Sequence, residues 1–158
     1  MSGFAAIGLY RPKDAANIGG ALRAAFCYDA SLVVIAADRS RLANDGVRHG
    51  TNTPKAERTI PIVRANDLRE AVPYDCAPVA VDLVDGAHPL HSFQHPHRAF
   101  YVFGPEDGTL GEAVLGWCPL RVMIPTRMCM NLAATVNVVL YDRQAKALRS
   151  SRKMERAA

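Results

Sequence analysis

Short apolar runs rich in β-branched and aromatic residues recur along the chain, and stretches with helical spacing separate most of them. The runs are Phe4–Tyr10, Ser31–Ala37, Thr59–Val63, Pro78–Val84, Ala99–Phe103 and Leu120–Ile124. Between them, Asn17–Tyr28 carries Ala21, Leu22, Ala25 and Phe26 at helical spacing. A helical turn is expected near Asp67–Val72, and further helices over Thr109–Leu115 and Asn131–Ala147. Continuously apolar strands separated by helices indicate a parallel sheet covered on both faces. No repeat or composition break marks a linker. The pattern therefore predicts one α/β domain over residues 1–158, a mostly parallel six-stranded sheet with helices on both faces. Its last residues, roughly ten, read as a basic, poorly ordered tail. Ala87–His97, with two prolines and four histidines, is the most loop-like insertion.

Composition narrows the class. The chain has 158 residues, 49% hydrophobic and 22% charged, ordinary for a globular domain. Its apolar runs are too short to span a membrane, so no membrane partner is expected. The first residues show no basic region ahead of an apolar stretch, which points to the cytoplasm. The cysteines at 27, 76, 118 and 129 form no CxxC pair, so they read as reduced thiols, most of them in the core. His88, His91, His95 and His97 read as solvated loop residues. Pro89 and Pro96 break any helix there, no carboxylate or cysteine completes a ligand set, and no metal is expected. A net charge of +4 permits a polyanionic partner without demanding one. Arg143, Lys146, Arg149, Arg152, Lys153 and Arg156 crowd one stretch, and Arg48, Lys55 and Arg58 fall in a middle loop. On charge alone, solvated helix surface and a frayed tail are the favoured reading.

In open parallel sheets ligands gather beyond the carboxyl ends of the strands, which directs attention to three segments. In the first, Tyr10–Arg23, Asn17 is suited to cap a helix, and Gly19 and Gly20 let another backbone approach closely. Arg23 then lies along that helix; an ordinary capped helix with a surface arginine is the plain alternative. The second segment, Phe103-Gly104-Pro105-Glu106-Asp107-Gly108-Thr109-Leu110-Gly111, ends a strand abruptly and leaves the Gly104 backbone open to a flat ligand. Glu106 and Asp107 favour the start of the next helix electrostatically. In the third, a polar turn from Pro125 closes on Asn131 and opens a long helix with small residues at 133 and 134. Tyr141, further along it, reads as a core aromatic or as a contact residue. The GxGxxG and Walker lysine fingerprints are missing.

These three segments, in this order, resemble the motifs of the SpoU/TrmH branch of the SPOUT RNA methyltransferases. Asn17, Gly19 or Gly20, and Arg23 match the first. Phe103-Gly104-Pro105-Glu106 matches the second, followed less closely by Thr109-Leu110-Gly111. Ile124-Pro125, Cys129-Met130-Asn131 and Tyr141-Asp142 match the third. The similarity runs from Ala6 to Asp142, and the short length is most like the single-domain TrmL-like members. Cys129 departs from the family's common serine, and Thr135 and Val136 from smaller residues.

The resemblance implies a trefoil knot in the C-terminal part, a homodimer, and S-adenosylmethionine as cofactor. It implies transfer of a methyl group to a ribose 2'-hydroxyl of RNA, tRNA ahead of rRNA. Carried over residue by residue, Asp82, Leu83, Phe103, Gly104, Ile124, Cys129 and Leu132 would line the cofactor pocket. Arg23 would be catalytic beside the partner subunit's cofactor, with Asn17, Glu106 and Asn131 shaping its surroundings. The competing readings are a non-catalytic SPOUT-like RNA-binding module, and a doubly wound oxidoreductase, against which the missing glycine-rich fingerprint weighs.

Overall fold

The computed structural model describes residues 3–37, 47–51 and 56–156. Lys55 and the last two residues of the expected tail lie outside them. In chain order the elements are β1 (Phe4–Tyr10), α1 (Ala15–Cys27), β2 (Leu32–Ala36), β3 (Ile62–Arg64), β4 (Ala77–Val81), β5 (His88–Pro89), β6 (Arg98–Phe103), α2 (Glu112–Leu115), β7 (Leu120–Met123) and α3 (Leu132–Glu155). Single 3-10 turns occupy Ala56–Arg58, Arg69–Ala71 and Leu90–Ser92.

The sheet has seven strands rather than the expected six, in the order β3-β2-β1-β6-β4-β7-β5. All its pairings are parallel. The additional strand, β5, has two residues, His88 and Pro89, beside Val122 and Met123 of β7. So short a strand leaves no periodic signal, and its proline is tolerated because β5 is an edge. Other boundaries also shift. Thr59 donates its N–H back to Ala56 and belongs to a turn, so β3 starts at Ile62. The helix expected from Thr109 begins only at Glu112, after Gly111 at φ 71°. The helix α3 continues to Glu155, through residues that the sequence assigned to a loose tail.

Alternation along the strands divides the core. Ile7, Leu9, Val33, Ile35, Val79, Val81, Tyr101 and Phe103 pack on one face, against α1 and α3. Ala6, Val34, Ala36, Ala80, Phe100 and Val102 pack on the other, against Leu68, Leu110, Val114 and Leu115. Residues i and i+2 share a face, so continuously apolar strands fill both layers.

Two contacts fix the helices on the first face. A Cβ built on Gly20 would stand 2.7 Å from the Cβ of Ala133, so α1 and α3 approach more closely than any side chain at position 20 permits. At its other end α3 clasps the 90–97 loop. His95, expected in solvent, has a side chain only 5% exposed. Its Nε2 lies 2.8 Å from Asp142 Oδ2 and its Nδ1 2.7 Å from the Tyr101 hydroxyl. A carboxylate only accepts, so Nε2 carries the proton and Tyr101 donates to Nδ1. Arg143, buried, donates to the Tyr101 hydroxyl and to the carbonyls of Pro96, His97 and Phe4. Lys146 donates to the carbonyls of Leu90 and Phe93 and pairs with Asp142. His88, His91 and His97 are exposed as expected. Burial lowers the His95 pKa, against the pull of Asp142, and raises that of Tyr101 to about 12.

Candidate active site

Where β4, β6 and β7 end, their three turns line one cleft. Asp82, Leu83, Phe103, Gly104, Ile124, Cys129 and Leu132, the residues expected to line a cofactor pocket, all line it. Sequence reasoning missed Thr126, Met130 and Thr135, which line it too. Thr135 was findable, since it stands three residues after Leu132 and so shares its helical face.

The turns are tied to one another by carboxylates. Asp82 accepts from the backbone N–H of Leu83 at 2.8 Å and from that of Leu110 at 2.7 Å. The end of β4 is thereby joined to the segment after β6. Glu106 joins that segment to the turn after β1. Its Oε2 accepts from the Lys13 N–H at 3.1 Å, and its Oε1 from the Asn17 side-chain amide at 3.1 Å and the Asp14 N–H at 3.4 Å. Lys13 Nζ also meets Asp107 at 2.6 Å, and this bond holds the exposed Asp107 carboxyl below its usual pKa. The turn after β1 is thus bonded to the turn after β6, which lines the cleft together with the turn after β7.

Individual roles differ from expectation. Asp14, not Asn17, caps α1, accepting from the N–H groups of Ala16 and Asn17. Asn17 sits inside the first turn and serves Glu106. Asn131 caps α3 by accepting from Ala134 at 2.7 Å. Arg23 is exposed on α1, outside the cleft of its own chain. Tyr141 is 60% exposed, touching Tyr28 edge-on at 6.4 Å, and is no core residue. Of the cysteines only Cys118 is buried, and burial raises its pKa to about 12; Cys27 and Cys129 are exposed.

Over residues 5–141 the sequence matches the SpoU rRNA Methylase family. The chain belongs to that family. Solved structures share its fold. An AdoMet-bound rRNA methyltransferase from Sinorhizobium meliloti is 21% identical, with a TM-score of 0.77 over 92% of this chain and 57% of its own. A TrmH/SpoU tRNA modifying enzyme from A. aeolicus is 13% identical, with a TM-score of 0.78 over 93% and 77%. A protein solved for the 2-OH methylation of C/U34 on tRNA is 20% identical, with a TM-score of 0.70 over 92% of both chains. The chain therefore spans little more than half of the rRNA enzyme and nearly all of the last. No curated protein matches it in sequence. Among the described residues no helix is long and apolar enough to cross a membrane.

Proposed function

We propose that this chain transfers the methyl group of S-adenosylmethionine to a ribose 2'-hydroxyl of tRNA. The observation that carries this reading is that the second and third family motifs line one cleft at the strand ends, with Asn17 of the first bonded to Glu106 in its wall. The residues fit the cofactor. Leu83, Ile124, Met130 and Leu132 supply apolar walls for a flat base, and Gly104 lies just past the last ladder pair of β6. When bound, the cofactor supplies a methyl group already activated on a sulfonium.

The protein's task is then mainly alignment, which can contribute about 7–11 kcal/mol to lowering a barrier. Glu106 is held on two backbone N–H groups and Asn17, so it shapes the site by joining turns. The Arg23 guanidinium, a planar fork of donors with no acceptor, is suited to clamp the RNA phosphate beside the reacting ribose. Its exposure on α1 suits action in a partner's cleft. A homodimer through α1 and α3 would bring it there. Phe26, Tyr141 and Leu148, at 37%, 60% and 58% exposure, give that surface apolar character. The trefoil knot belongs to the same reading. Its support is that β7 lies between β4 and β5, two strands joined by residues 82–87.

The full-length fit to the tRNA-related structure favours tRNA over rRNA. The test is incubation of the purified chain with methyl-labelled S-adenosylmethionine and either tRNA or rRNA, followed by nucleoside digestion. The expected result is a labelled 2'-O-methyl nucleoside from tRNA. Label only from rRNA moves the substrate; RNA bound without label supports the binding-module alternative.

A further inference from the structure

The last two turns of α3 and its cap, from Arg149 to Arg156, carry charge that the fold does not use. Arg143 and Lys146 are both held inside the protein, on carbonyls, Tyr101 and Asp142. Among the described residues, Lys146 is the last of α3 to hydrogen-bond another element. Beyond it Arg149, Arg152, Lys153 and Arg156 are exposed, and none pairs its side chain with a described residue. Glu155 is the one acidic residue from 143 to 156. On a helix of 3.6 residues per turn the four cations fall within an arc of about 100°. The buried positions 132, 136, 139, 140 and 143 all lie outside that arc. The stripe carries charge of a single sign.

We infer that this stripe is a docking surface for the RNA phosphate backbone, which rests on the reading of the chain as an RNA methyltransferase. Charge complementarity selects the occupant, because four unpaired cations in line suit a polyanion of regularly spaced charges. The stripe lies about 26–36 Å along the helix axis from Leu132 at the cleft. It therefore engages the body of the RNA, away from the nucleotide that reacts, and sets affinity instead of chemistry.

The test replaces all four with glutamine, whose helix propensity is close to that of Lys and Arg. Circular dichroism and S-adenosylhomocysteine titration establish that fold and cleft are kept. Binding of unfractionated tRNA is then measured from low to physiological salt, and methyl transfer is measured beside it. The variant is expected to bind at least about tenfold more weakly near 0.15 M salt. Its slope of log affinity against log salt should be about three units shallower, at about 0.7–0.9 per phosphate. KM for RNA should rise with kcat nearly unchanged. An unchanged slope and KM overturn the inference. A wild-type chain that binds tRNA with the steep slope but transfers no methyl removes the catalytic reading and leaves the docking surface standing.

Discussion

At the scale of single residues, the cleft depends on side chains that hold turns as much as on those that line it. Asp82 stands at the end of β4 and lines the cleft, yet both its oxygens are engaged by the N–H groups of Leu83 and Leu110. Replacing it with alanine leaves two backbone donors without their partner, a loss of about 1–3 kcal/mol when such groups stay dry. We expect Asp82→Ala to weaken S-adenosylhomocysteine binding roughly tenfold, equivalent to about 1.4 kcal/mol, as read by calorimetry. Unaltered affinity would show that the 104–110 segment keeps its place without this carboxylate. Arg23 lies outside its own chain's cleft, so Arg23→Ala should abolish methyl transfer, by at least about a hundredfold, and leave the homocysteine product's affinity intact. Weakened cofactor binding in that variant would contradict the assigned role.

At the scale of elements, the sequence showed what local pattern encodes and hid what distant partners decide. Small residues at 19, 20, 133 and 134 marked two helices able to take a close neighbour, and the contact of Gly20 with Ala133 shows that each is the other's. Gly20→Ala should destabilise the fold by about 1–3 kcal/mol in urea unfolding, the usual cost of overpacking. A variant as stable as the wild type would mean that the helices separate freely. The long reach of α3 was missed because Ser150, Ser151 and a run of cations dilute the apolar period after Ala147. His95 was read as solvated because its partners stand 6 and 47 residues away. Only the tertiary fold brings them together.

That clasp makes stability depend on pH with a defined sign. Burial depresses the folded pKa of His95 below its ordinary value. As pH falls below about 6.5, the unfolded chain takes up the proton first, and stability is lost through and below that range. A cationic His95 would also face Arg143 and Lys146, and its Nδ1 could no longer accept from Tyr101. Thermal melting between about pH 7.5 and 5 should show a steeper fall in the wild type than in His95→Gln. Glutamine can still donate to Asp142 and accept from Tyr101. Parallel curves would assign the acid sensitivity to other groups.

At the scale of the whole molecule, the lining of the cleft was legible because the motif segments keep their order, although no periodicity reveals that the turns after β6 and β7 meet. The six expected strands were found, and among the described residues only the two-residue strand β5 escaped notice. What one chain cannot display is the reaction centre itself, if the arginine of one subunit serves the cleft of another. Two defective chains should therefore complement each other: Arg23→Ala, and a cleft-blocked variant such as Gly104→Val that has lost S-adenosylhomocysteine binding. Each alone should be inactive. Mixed in equal amounts with subunit exchange, they should recover about a quarter of wild-type methyl transfer to tRNA, because half the dimers are mixed and each has one intact centre. A mixture that forms mixed dimers and stays inactive would contradict the account.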